Sequence, residues 1–308
     1  VPRIAYLGPE GTFTEAALLK MSSRGLVPGS ASSDGITPVP TESTPAALAA
    51  VRSGDADYAC VPIENSIEGS VLPTLDNLAT GAPLQIFTEL TLDVSFTIAV
   101  RPGTPAADVN TVAAFPVAAA QVRQWLARHM PAAQFVAANS NAAAAHDVSH
   151  GLADAAVTTA LATERYGLTA LATDVVDEPN ARTRFVLAGH PGPPPDRTGA
   201  DRTSVVLRLA NVPGALVSAL TEFAIRDIDL TAIESRPTRT ELGTYIFFLD
   251  CVGHIDDDAV AEALKALHRR SADVRYLGSW PTGAAAGAAP PRLDEASRWL
   301  MHLREGKP

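Results

Sequence analysis

The run His190-Pro191-Gly192-Pro193-Pro194-Pro195-Asp196-Arg197-Thr198-Gly199 most limits how this chain can fold. Proline fixes φ and lacks an amide donor, so no helix or central strand can pass through such a run. It reads as a semi-rigid linker over 191–202. The linker separates a block over 1–190 from a shorter block over 203–281. The remaining residues, 282–308, open on Ala, Gly and Pro of low complexity. They end with Leu293, Ala296, Leu300 and Leu303 on one helical face. This predicts a flexible tail with a short helix, packed on its own protein rather than on a membrane.

The first block alternates strand-like and helix-like segments. Arg3–Leu7, Asp57–Pro62 and Val94–Val100 read as strands, and Thr14–Leu19 reads as a helix. Such alternation argues for an α/β fold with largely parallel pairing, whose ligands lie at the carboxyl ends of strands. The second block parses as βαββαβ. Its strands cover 203–210, 230–235, 244–252 and 274–277. One helix carries Leu216, Leu220, Phe223 and Ala224 on one face, and the other runs over 258–269. That order is ferredoxin-like.

Composition excludes several classes. With 46% hydrophobic residues the chain can bury real cores, and its net charge is −10. No basic stripe suits nucleic acid or a membrane surface. No apolar run approaches the ~20 residues of a membrane helix. The opening residues lack the features of a signal peptide, so a soluble, cytoplasmic protein is expected. Cys60 and Cys251 form neither a disulfide framework nor a zinc site, and are expected as small buried side chains. His146, His150 and His190 are not at metal spacing. No cofactor motif is visible, so neither a metal nor a cofactor is expected.

Three polar segments stand at predicted turns. Gly8-Pro9-Glu10-Gly11-Thr12-Phe13-Thr14 joins a strand to a helix; it is either an anion-accepting loop or an ordinary capped turn. In Pro62-Ile63-Glu64-Asn65-Ser66, followed by Ile67-Glu68-Gly69, an acceptor, an amide and a hydroxyl lie together at a strand end. That is either a polar site or an Asx-type turn. Asn180-Ala181-Arg182-Thr183-Arg184-Phe185 sets a hydroxyl between two guanidinium groups. Those groups either bind an anion or form a solvated basic loop.

Taken together, these segments resemble the prephenate dehydratase family. Tyr6–Thr14, Pro62–Gly69 and Asn180 with Thr183-Arg184-Phe185 are similar to its catalytic motifs. Gly214-Ala215-Leu216-Val217 and Ile233-Glu234-Ser235-Arg236-Pro237 are similar to the phenylalanine-binding motifs of its ACT regulatory domain. Leu277-Gly278-Ser279-Trp280-Pro281 is similar to its closing strand. Where many relatives carry histidine near Ser95-Phe96 and Ser-His-Pro-Gln at Ala114–Val117, this chain departs from the pattern; Gln121 matches.

The resemblance implies a two-lobed α/β catalytic domain like type II periplasmic binding proteins, plus a βαββαβ ACT domain. It implies conversion of prephenate to phenylpyruvate, with loss of carbon dioxide and water and without a cofactor. Thr183 would be the catalytic donor. Thr12, Asn65, Ser66, Gln121, Asn180, Arg184 and Phe185 would bind substrate, with Arg184 either a carboxylate partner or a support for its loop. Glu64 is expected to be structural. Gly214, Ala215, Leu216, Val217, Glu234, Ser235, Arg236 and Pro237 would bind phenylalanine as allosteric effector, in a homodimer or homotetramer. Arogenate dehydratase and a non-catalytic amino-acid sensor are the alternatives.

Overall fold

A computed structural model describes residues 1–30, 35–238, 243–283, 287, 289–290 and 294–306. In chain order its elements are β1 (Arg3–Leu7), α1 (Phe13–Ser23), β2 (Thr37–Thr41), α2 (Thr44–Ser53), β3 (Tyr58–Asn65), β4 (Gly69–Ser70), α3 (Leu72–Ala79), β5 (Gln85–Asp93) and β6 (Phe96–Val100). After a short 3₁₀ turn come β7 (Thr111–Ala114), α4 (Pro116–Gln121), α5 (Arg123–His129), β8 (Gln134–Ala137), α6 (Asn141–Ser149), β9 (Ala155–Thr158), α7 (Ala160–Arg165), β10 (Thr169–Val175) and β11 (Arg182–Gly189). The last are β12 (Asp201–Arg208), α8 (Ala215–Ala224), β13 (Leu230–Pro237), β14 (Tyr245–Val252), α9 (Asp258–Arg270), β15 (Asp273–Pro281) and α10 (Asp294–Arg304). They divide into two compact units, Val1–Thr74 with Leu90–Leu187 and Leu75–Glu89 with Ala188–Pro308.

The first unit carries two lobes. One is built on the sheet ordered β2-β1-β3-β11-β5, with β4 hairpinned onto β3. Its β1 lies parallel to both β2 and β3. Ile4, Tyr6, Leu18, Met21 and Phe185 fill its core. The other lobe is ordered β10-β6-β9-β7-β8 and is mixed: β7 runs parallel to β8 and β9, whereas β6 is antiparallel to β9 and β10. Each large aliphatic side chain fully buried in these cores contributes about 1.5–3 kcal/mol against exposure. Pro38 and Pro40 sit in β2, which is tolerable because β2 is the sheet edge and needs no second ladder.

In the second unit the sheet order β13-β14-β12-β15, antiparallel throughout, with α8 and α9 against it, is the expected βαββαβ arrangement. Two strands run further than expected, β13 to Pro237 and β15 to Pro281, while β12 keeps its expected length but begins two residues early, at Asp201, inside the stretch assigned to the linker. The proline run is held by side chains: the imidazole of His254 meets the Pro195 carbonyl at 2.9 Å and Arg197 pairs with Asp257 at 2.9 Å. Residues 75–89 belong to this unit. Trp280, fully buried, donates its indole N–H to Glu89 at 2.9 Å. Gly278 has φ +134°, and a Cβ there would run into the Ile86 carbonyl.

Helix α10 forms, but its apolar face does not pack as expected. Leu300 and Leu303 are 44% and 46% exposed; Leu293 lies outside the described residues. No helix among the described residues is long and apolar enough to cross a membrane. Both cysteines are free and buried, and burial pushes the Cys60 thiol up to about 12.

Candidate active site

A cavity of about 760 Å³ opens in the first unit, lined from both lobes. Volumes of this order suit a small organic ligand. The β1 strand ends at its wall, and the Gly8–Gly11 turn leads into α1. Thr12 is the N-cap: Oγ1 accepts the Glu15 amide at 3.3 Å and donates to the Leu7 carbonyl at 2.9 Å. Helix geometry leaves the Phe13 and Thr14 amides without intrahelical acceptors. From the other lobe Ser140 caps α6 by accepting the Ala143 amide at 2.9 Å. Two helix amino ends, each with partial positive charge, therefore open on one cavity. Among its described lining residues Glu42 is the one charged side chain, so attraction for an anion comes from backbone amides.

Thr183 and Phe185 enter from β11. Thr183 is 9% exposed and receives a hydrogen bond from Asn65 Nδ2 at 3.0 Å. The orientation of that amide is settled locally, because Asn65 Oδ1 accepts the Ile67 and Glu68 amides at 2.8 and 3.1 Å. The carboxamide nitrogen must then face Thr183. Thr183 accepts, and its own proton stays uncommitted among the described residues.

Among the remaining candidates, Ser66 and Asn180 shape the segment that leads to Thr183. Ser66 bonds the Asn180 carbonyl and the Arg182 amide at 3.2 and 2.9 Å, stapling the loop before Thr183 to the end of β3. Asn180 turns that loop with φ +94°. The Arg184 guanidinium meets Glu64 at 3.0 Å and is 10% exposed. This gives Glu64 the partner a carboxylate needs there. The Gln121 backbone carbonyl accepts Asp177 at 2.7 Å, and its buried Oε1 has no hydrogen-bond partner among the described residues. Thr12, Thr183 and Phe185 line the cavity; Asn65, Ser66, Gln121, Asn180 and Arg184 do not.

Sequence reading missed Thr41, Phe115 and Asn139-Ser140-Asn141, which also line it. Ser140 before the alanine run was a readable N-cap signal. Nothing in its spacing distinguished that cap from any other.

The candidate effector residues lie in the second unit. Gly214 caps α8 at φ +80°, a conformation glycine allows without strain. Val217 is 68% exposed. On the edge strand β13, Glu234 and Arg236 share one face, and Ser235 and Pro237 the other. Arg236 is engaged bidentately by Asp76 of α3 at 2.9 and 3.0 Å.

A family model for prephenate dehydratase matches residues 4–192. The chain belongs to the prephenate dehydratase family. An ACT domain model matches residues 203–269. A curated prephenate dehydratase of Mycobacterium sp. (strain KMS) is 76% identical over 309 residues, covering all of this chain and 98% of that protein. Among solved structures, the prephenate dehydratase of Arthrobacter aurescens in complex with L-Phe is 40% identical. It superposes at a TM-score of 0.86 over 98% of this chain and 99% of its own. GqqA, described as a novel type of quorum quenching acylase, is 31% identical with a TM-score of 0.79, over 91% and 98%. The three motifs that the sequence likens to this family stand on or beside one cavity.

Proposed function

We propose that the cavity converts prephenate to phenylpyruvate with Thr183 as the proton donor. One observation carries the reading: Thr183 accepts from an amide that cannot turn around, so its proton points elsewhere. Loss of hydroxide from carbon is slow without a donor, and a positioned one contributes about 10²–10⁴ in rate. The ring hydroxyl takes a proton through Thr183 and leaves as water. The C–C bond to the ring carboxylate breaks, its electron pair completes the aromatic ring, and carbon dioxide departs. One proton from solvent restores Thr183. The amides of Phe13 and Thr14, and those at the start of α6, hold the two carboxylates. Phe185 packs the ring.

On this reading 1–190 is the catalytic domain and the regulatory one runs from the start of β12 at Asp201 to Pro281, with 191–200 between them. The enzyme works in the cytoplasm as a dimer or tetramer. Phenylalanine takes its carboxylate contact from the Leu216 and Val217 amides, which lack intrahelical acceptors, with Glu234 and Ser235 as further candidate ligands. The match to an ACT domain and the L-Phe bound by the Arthrobacter relative support that part.

The test is phenylpyruvate formation by the purified protein, with and without phenylalanine. Thr183→Ala should lower kcat by about two decades or more, with a native circular dichroism spectrum, and Thr183→Ser should retain most activity. Near-normal turnover by Thr183→Ala would remove the residue from the mechanism.

A further inference from the structure

Glu15 lies on α1, behind the cavity loop rather than in the cavity lining. Its side chain is 1% exposed. It accepts the Gly11 amide at 2.5 Å and pairs with Arg165 at the end of α7, which also holds Glu10 at 3.0 Å. Two more contacts join the same loop to the same helix. Thr159 donates to the Gly11 carbonyl at 2.6 Å. Gly11, at φ +89°, backs onto Ala162, whose Cβ would lie 2.8 Å from any Cβ added there. The loop that supplies one helix amino end to the cavity is thus gripped from the other lobe.

A buried carboxylate in this place opposes anion binding. It stands in the first turn of the helix whose free amides face the cavity, where a bare negative charge would repel a dianion. Burial weakens the screening that water and salt would otherwise provide. Arg165 cancels that charge and, through Glu15, holds the Gly11 amide and the loop before Thr12. We propose that Arg165 is a positioning residue for the dianionic substrate, neutralising Glu15 behind the carboxylate subsite. This rests on the subsite assigned above to the start of α1.

The test is the order of KM values for prephenate in purified full-length variants, alongside kcat and melting temperature. Arg165→Gln strands the Glu15 charge and should raise KM about tenfold or more, with kcat changed far less. Glu15→Gln keeps an oxygen to accept the Gly11 amide but drops the charge, so KM should stay at or below the parent value. The double variant should recover most of the KM lost in Arg165→Gln. Arg165→Lys, which keeps the charge and loses the fork, should lie near the parent.

A clamp with no electrostatic role predicts another order: both single variants raise KM, and the double is no better. That order, or an unchanged KM in Arg165→Gln, overturns the proposal. If Arg165→Gln fails to fold, Glu15→Gln decides alone, because a raised KM there contradicts charge compensation. Turnover by the parent protein tests the underlying reading separately, and its absence overturns both.

Discussion

Asn65 is held at one end by two backbone amides and spends its other end on Thr183. Substituting it separates the two jobs. Asn65→Asp keeps the acceptor for Ile67 and Glu68 but would accept the Thr183 proton instead of donating to its oxygen. It should cost more in kcat than Asn65→Ala, and both should leave the fold intact; steady-state rates check the order. A similar one-residue argument applies to the thiols. Burial raises Cys60 and Cys251 to about 12 each, so both stay protonated at pH 8 in the native state. Alkylation by iodoacetamide at that pH should follow the unfolding curve rather than precede it.

At the scale of elements, Asp154 ties the start of β7 to the turn before β9. Its carboxylate accepts from the Asn110 and Thr111 amides and the Thr111 hydroxyl, at 3.0, 2.9 and 2.9 Å. These bonds, led by the Thr111 hydroxyl, hold its pKa below the ordinary 3.8. A depressed carboxylate contributes stability that is full above its unfolded value and lost as pH falls through the folded one. The stability gap between the parent and Asp154→Asn should therefore be constant near neutrality and close as pH drops below about 4. Acid melts of both proteins would show it.

Elements also show how far sequence reading reaches. All six of the second block were legible, because each carries its own period and turn. β2 was not: its two prolines argue against a strand, and only its edge position permits them. β5 was missed as well. Of the cavity wall, Thr12, Thr183 and Phe185 stood out in the sequence through their motifs. The Asn139–Asn141 wall was not, because its place on the cavity depends on how two lobes meet. No local pattern records that. The same holds for Glu15 and Arg165, 150 residues apart.

For the whole molecule, the decisive feature is that Leu75–Glu89 groups with the C-terminal block. Arg236, from the candidate effector strand, grips Asp76 on α3. Helix α3 begins two residues after Ser70, whose strand pairs with Glu64 and Asn65. Asp76→Ala should raise the phenylalanine concentration needed for half-inhibition, by about 5-fold or more, while changing uninhibited kcat much less. Inhibition curves would decide it. A chain cut after Gly189 would strip Glu89 of Trp280 and Ile86 of its Gly278 cover. Leu84 and Ile86, now fully buried, lie in the segment left behind. Such a fragment should melt well below the parent or aggregate on expression.

That feature also bears on anyone who would move this regulatory module to another enzyme. Its boundary in the gene is not its boundary in space. A transplant taken from the linker onward would arrive without the guest segment that its Arg236 and Trp280 hold. The host would have to supply a close copy of residues 75–89, with Asp76, Ile86 and Glu89 in register, before the sensor had anything to pull on.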